Sequence, residues 1–245
     1  MQIAVLSDIH LGERNKLDQF HRNDGAYERL HELLTYLENH VDKIVLLGDI
    51  FETLRGKSYS KEKTLVKILK QYPGITSKIM DNEKYELIAG NHDPVTTSLL
   101  NAREMIKIKD GSNSIAFFHG HQLDPLVVNP FEYHFERVFV WLGGWMERMG
   151  FDITHRLNLV SKAKSLTNRW HPDMFERAAA ELGASMGCNI VVTGHSHHPM
   201  KVEYGETLFL NSGTRVAARQ DLVIIDTAVN QYDVHKQFNV SSQND

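Results

Sequence analysis

Ile3-Ala4-Val5-Leu6-Ser7-Asp8-Ile9-His10 opens the chain on four apolar residues that run straight into serine, aspartate and histidine. A short apolar run of this kind reads as a buried strand, with the polar residues delivered at its C-terminal end. The pattern recurs. Residues 43–47 close on Gly48-Asp49, and residues 85–89 close on Gly90-Asn91-His92-Asp93. Residues 114–118 lead into His119-Gly120-His121, and residues 189–193 lead into Gly194-His195-Ser196-His197. Between the first three runs, Leu30, Leu33, Leu34 and Leu37 fall at helical spacing, and residues 64–69 repeat that pattern. Alternation of strand and helix predicts an α/β layout with a largely parallel sheet. Short strands with turn residues over 201–210 and 222–238 predict antiparallel closure.

Composition narrows the function. The chain has 245 residues, 27 Lys+Arg against 31 Asp+Glu, a net charge of −4, one cysteine and fourteen histidines. At roughly 100–200 residues per domain, this length predicts a single domain over 1–245. Cys188 alone can form neither an internal disulfide nor a cysteine-based zinc site. The slight negative charge offers no basic field for long nucleic acids. No apolar run approaches the roughly eighteen residues of a membrane span, and no signal peptide is evident. The expectation is a cytoplasmic protein.

Residues 124–187 stand apart. They hold all three tryptophans, Trp141, Trp145 and Trp170, and few strand signals. Phe131, Phe135, Val138, Phe139, Leu142, Trp145, Met146 and Met149 share one helical face, interrupted by Gly143-Gly144. One reading is a helix packed on the main core. The other is an inserted helical cap over 124–187, whose surplus apolar surface receives a hydrophobic substrate and leaves peripheral membrane contact open.

Each polar block alone is ambiguous: Asp-x-His is common in turns and caps, and Gly-Asn-His-Asp can be a turn. Five such blocks at the C-terminal ends of strands converge where α/β sheets bind their ligands. Carboxylate, amide oxygen and imidazole without thiolate suit Mn, Fe or Zn. There are more ligands than one ion needs, and a carboxylate can bridge two ions about 3.5–4 Å apart.

In order and spacing these blocks resemble the calcineurin-like metallophosphoesterases, over nearly the whole chain. The resemblance implies a four-layer α-β-β-α sandwich and a hydrolase acting on a phosphodiester or pyrophosphate bond. It implies two divalent ions, with Mn preferred and Fe or Zn as alternatives. Asp8, His10, Asp49 and His197 would hold the first, and Asp49, Asn91, His119 and His195 the second. His92 would face the phosphate and its leaving group. Asp93 could orient that imidazole or cap a helix before Pro94. Arg14 and Arg55 are candidates for meeting phosphate, and His121 and His198 for lining the site. The insertion, the length and Asp49-Ile50-Phe51-Glu52 are similar to the UDP-2,3-diacylglucosamine hydrolase branch, which acts on a lipid-linked nucleotide. That branch usually carries arginine at the position of His92 and aspartate at that of His121. A cyclic-nucleotide or general nucleotide phosphodiesterase or nuclease is the alternative, and an inactive metal-binding scaffold a third reading.

Overall fold

The structure, a computed structural model, describes residues 1–15, 18–20, 25–124, 173–216 and 218–240. Ten strands form two five-stranded sheets among these residues. In chain order they are β1 (Gln2–Leu6), β2 (Lys43–Leu47), β3 (Tyr85–Ile88), β4 (Met105–Asp110), β5 (Asn113–Phe118), β6 (Ile190–Thr193), β7 (Met200–Tyr204), β8 (Thr207–Asn211), β9 (Leu222–Asp226) and β10 (Gln231–His235). One sheet runs β10-β9-β1-β2-β3 and the other β4-β5-β6-β8-β7. The centre of each is parallel, β1–β2–β3 in one and β5–β6–β8 in the other. Antiparallel strands close the edges, β9 and β10 on the first sheet and β4 and β7 on the second.

Period-2 alternation builds the layers. Ile3, Val5, Val45, Leu47, Val223 and Ile225 of the first sheet meet Ile115, Phe117, Ile190, Val192 and Leu210 of the second in one buried cluster. The alternate residues Ala4, Leu6, Ile44 and Leu46 face outward into a cluster with the helices. These are α1 (Ala26–His40), α2 (Lys61–Gln71) and α3 (Pro73–Asp81). Helix α1 buries Leu30, Leu33, Leu34 and Leu37, one stripe at i, i+3, i+4 and i+7. Ser60 caps α2 by accepting from the Lys63 N–H, and Pro73 at the first turn of α3 prevents α2 from continuing. A one-turn helix, α4 (Thr96–Leu99), follows the third motif loop. On the far side of the second sheet, Ala116, Phe118, Val191 and Phe209 pack against Ala179 of α5 (Met174–Ser185). The result is a four-layer α-β-β-α sandwich.

Helix α5 lies inside the stretch expected as a cap, yet it packs on the second sheet beside β6 and β8. It supplies the fourth layer. The rest of the expected cap, including its three tryptophans, lies outside the described residues. No helix among the described residues is long and apolar enough to cross a membrane.

Candidate metal centre

Strands β1, β2, β3, β5 and β6 end at the same edge of the sandwich, and the loops that follow carry the polar blocks. Five of the motif residues sit in the left-handed region: Asp8 at φ 51°, His10 at 54°, Asp49 at 53°, His195 at 64° and His197 at 60°. Each such non-glycine residue costs about 1–2 kcal/mol, and strain of this kind collects at functional sites. Gly90 shows why this edge needs glycine: a Cβ there would lie 2.1 Å from Asp49 Oδ1 and 2.4 Å from the Asp49 nitrogen. Gly48, at φ 81°, would bring a Cβ to 2.5 Å from His119 Nδ1.

Each buried carboxylate spends one oxygen on the scaffold. Asp8 Oδ2 accepts from Ser7 Oγ and from the His195 N–H at 3.1 Å. Its Oδ1 lies 3.0 Å from His197 Nε2 and 4.0 Å from His10 Nε2. Asp49 Oδ1 accepts from the His92 N–H at 2.8 Å, while Oδ2 lies 3.2 Å from His119 Nε2 and 3.9 Å from His10 Nε2. The imidazoles are oriented in the same way. His119 Nδ1 meets the Leu47 carbonyl at 2.9 Å, which makes Nδ1 the donor and turns an unprotonated Nε2 to the cleft in the neutral ring. His10 Nδ1 lies 3.3 Å from Glu52 Oε2.

Three sets of ligand atoms lie within 4.8 Å of one another: Asp8, His10 and His197; His10, Asp49 and His92; and Asp8, Asp49 and His119. Asp8 Oδ1, His10 Nε2, Asn91 Oδ1 and His119 Nε2 are buried without a hydrogen-bond partner, the ion-pair distances above notwithstanding. Buried polar atoms are ordinarily satisfied, and burying an ionised carboxylate costs several kcal/mol unless a cation compensates. The orphaned acceptors on Asp8, His10 and His119, which converge with the Asp49 carboxylate, therefore fit divalent ions, and oxygen and imidazole are donors that Mn, Fe and Zn accept. His195 lies outside these sets, and its Nε2 pairs with Asp124 Oδ2 at 2.9 Å. The ligand atom left on that ring is Nδ1.

The charges describe a cation-seeking cleft. Burial raises Asp8, but the His197 imidazole outweighs it and holds the carboxyl at about 2. Asp49 is likewise held well below the carboxylate range, burial being overcome chiefly by His119 and His92. Burial lowers His119, yet Asp49 pushes it up to about 10. His121 is lowered to about 4 by burial and by the neighbouring His119 and His195.

Glu52 is the residue that sequence reasoning missed as a functional group. It is buried, and its carboxylate meets Nδ1 of both His10 and His92, the latter at 3.0 Å. The Leu54 and Arg55 N–H groups and the Arg55 guanidinium hold it in place. Burial lowers His92, but Glu52 and then Asp49 outweigh that and raise it to about 9. In sequence Glu52 entered only as the last residue of Asp49-Ile50-Phe51-Glu52, with no role attached; its burial is what marks it.

For Asp93 the sequence left two readings open, orienting His92 or capping a helix before Pro94, and its side chain is engaged elsewhere. Its carboxylate accepts the backbone N–H groups of Asp49, Ile50, Phe51 and Gly90, the closest at 2.7 Å. With both oxygens committed to main chain, it clamps the Asp49 loop to the Gly90 loop and leaves the imidazole to Glu52. Arg14 is turned aside as well, its guanidinium stacking 4.7 Å from the centre of the Tyr72 ring. Arg55 reaches the cleft only as a partner of Glu52. His121 lies beside His119, with ring centres 5.5 Å apart, whereas His198 is exposed and bonds the Ser196 carbonyl.

Comparison with solved structures gives matches of low sequence identity. A predicted phosphoesterase from Streptococcus pneumoniae is 17% identical, with 96% of this chain and 97% of that chain covered and a TM-score of 0.42. Vps29 from Entamoeba histolytica, solved with zinc, is 16% identical, with 96% and 98% covered and a TM-score of 0.48. A hypothetical protein from Pyrococcus horikoshii is 11% identical, with 99% and 90% covered and a TM-score of 0.49. Comparison with curated proteins gave no significant match. The family model for calcineurin-like phosphoesterases matches residues 1–199, which takes in every motif block at the strand ends. The chain belongs to the calcineurin-like phosphoesterase family, whose members are metal-dependent phosphoester hydrolases.

Proposed function

We propose that this protein is a two-metal phosphodiesterase or pyrophosphatase in which Asp49 is shared by both ions. The observation that carries this reading is the set of orphaned, buried ligand atoms on Asp8, His10 and His119 gathered with the Asp49 carboxylate; Asn91 Oδ1 is buried and orphaned as well. Asp8, His10, Asp49 and His197 would hold one ion, and Asp49, Asn91, His119 and His195 the other, with Mn preferred over Fe or Zn. When bound, such ions polarise phosphoryl oxygens and lower the pKa of water towards 7.

The chain's own groups set the remaining chemistry. Glu52 fixes Nδ1 of His92, which leaves Nε2 to donate a proton to the departing oxygen. Glu52 also fixes Nδ1 of His10, so one carboxylate sets the pitch of a metal-holding ring and of the proton donor. This is a positioning role. Glu52→Gln is expected to lower kcat about 10–100-fold, the usual cost of losing a group that orients a ligand. The basic limb of its pH–rate profile, where the His92 proton is lost, should move to lower pH because the Glu52 charge no longer raises His92, and Glu52→Asp should restore part of both. An unchanged profile and turnover would exclude the role.

The substrate we favour is an apolar-tailed, nucleotide-linked pyrophosphate of the UDP-diacylglucosamine kind, met in the cytoplasm at a membrane face. Support comes from the motif layout, the insertion after His119 and its surplus apolar residues; the inserted cap expected over 124–187, less helix α5, which belongs to the fourth layer, is part of this proposal. Detergent-solubilised UDP-diacylglucosamine should be cleaved faster than bis(p-nitrophenyl) phosphate with Mn²⁺. An intact lipid substrate beside cleaved cyclic or linear nucleotides would favour the nucleotide phosphodiesterase reading. Bound metal with no turnover of any ester would favour a scaffold.

A further inference from the structure

His195 differs from the other cleft histidines in what anchors it. His119 Nδ1 is tied to the Leu47 carbonyl at 2.9 Å and His10 Nδ1 to Glu52 Oε2 at 3.3 Å, so both anchors come from β2 and the loop after it. The anchor of His195 comes from the loop after β5. Its Nε2 lies 2.9 Å from Asp124 Oδ2, 71 residues away in sequence. A carboxylate only accepts, so Nε2 carries the proton and donates it to this bond. The two side chains are 15% and 27% exposed, which shields the pair in part from solvent.

The fold leaves Asp124 little freedom. Gly120, at φ 108°, turns the chain after β5 into a single turn of 3-10 helix, His121–Leu123. The Leu123 N–H donates to the Gly120 carbonyl at 2.9 Å and the Asp124 N–H to the His121 carbonyl at 3.2 Å, so Asp124 ends the turn. The turn is pressed against helix α5, because a Cβ on Gly120 would lie 2.7 Å from Phe175 Cζ. The Phe175 ring centre is 6.2 Å from that of His195, and the His119 ring stands across His195 at 5.3 Å and 73°. The His195 imidazole thus has two aromatic neighbours and a carboxylate at Nε2. Its own N–H donates to Asp8 Oδ2 at 3.1 Å, which fixes the base of the side chain beside the cleft.

We propose that Asp124 is a positioning residue for the second ion, acting through His195 by fixing the tautomer and ring setting that present Nδ1 as a ligand. This rests on the two-metal reading. A carboxylate on the far nitrogen of a metal-binding imidazole orients the ring and makes the near nitrogen more basic, and its loss costs about 10–100-fold in metal affinity. A carboxylate that competed with the ion for this ring would act in the opposite sense, and so the direction of the effect separates the two roles.

Calorimetric titration of the metal-free full chain with Zn²⁺ tests this. Zinc is held more tightly than manganese by such donors, which keeps weakened sites measurable. Wild type should take up two ions. Asp124→Asn, close to isosteric, should weaken one of them by about 10–100-fold, and Asp124→Glu, which keeps the carboxylate, should recover part of the loss. In a His195→Ala chain the same Asp124→Asn change should alter zinc affinity by less than about twofold, since a residue that acts through the ring has nothing to act on once the ring is gone. Equal losses with and without the His195 imidazole would make Asp124 a direct ligand or a purely structural residue and overturn the proposal. Tighter zinc binding in Asp124→Asn would overturn it as well. Two ions bound with unchanged affinity in Asp124→Asn would overturn the positioning role and leave the two-metal reading standing. A single ion in wild type would count against the two-metal reading instead. The positioning role is then read on that ion: a loss in Asp124→Asn that vanishes in the His195→Ala chain supports it, and an unchanged affinity overturns it.

Discussion

Asp49→Ala is expected to yield a folded chain that retains at most one weakly held divalent ion and loses about 10³–10⁴-fold in turnover. The size follows from the several kcal/mol that metal ions contribute to phosphoryl transfer, converted at about 1.4 kcal/mol per decade. Asp49 Oδ2 faces His119 Nε2 at 3.2 Å and His10 Nε2 at 3.9 Å, so it stands between the two proposed ion positions. Part of any loss would be structural, because Oδ1 accepts the His92 N–H at 2.8 Å, and an orphaned buried donor costs about 1–3 kcal/mol. Asp49→Asn separates the two effects. Its amide oxygen can still accept that N–H, so melting temperature should recover while metal content, read by elemental analysis, stays low. Full metal content in both variants would remove Asp49 from the shared position.

His92→Ala should lower turnover by about 10²–10⁴-fold, the range of a lost general acid, with both ions retained. The loss should depend on the leaving group. A p-nitrophenolate departs without a proton, so aryl diesters should suffer least and alkyl or nucleotide esters most. The test matters because His92 also lies within 4.8 Å of ligand atoms on His10 and Asp49, a placement compatible with a ligand. Loss of metal in His92→Ala, with equal damage to every ester, would make it a ligand and not a proton donor.

The motif strands were legible because each is an apolar run ending in a polar turn, and ligand atoms of Asp8, His10, Asp49, His92, His119 and His197 at those turns lie close together. β4 was not legible: Met105–Asp110 is an edge strand whose lysines alternate outward, so its apolar content is half that of a central strand. The division into two sheets was legible only through the family resemblance and not from the strands themselves, since the outward Ala4 and Leu6 and the inward Ile3 and Val5 are all apolar. A strand buried on both faces carries no periodicity to show which face meets which layer. Asp93 misled for a simpler reason. Adjacency to His92 suggested a partner, but the carboxylate turns to four main-chain donors on the facing loops. Glu52, forty residues away in sequence from His92, takes the place assigned to it. Contacts between loops of this kind depend on how β2 and β3 are set side by side, and no local pattern encodes that.

The central claim is that two ions share Asp49. Anomalous diffraction from crystals grown with Mn²⁺, collected at the manganese edge, tests it most directly. The account predicts two peaks in the cleft, one among Asp8, His10 and His197 and one among Asn91, His119 and His195, both in contact with Asp49. A single peak in fully active protein, or a second peak that does not touch Asp49, would contradict it.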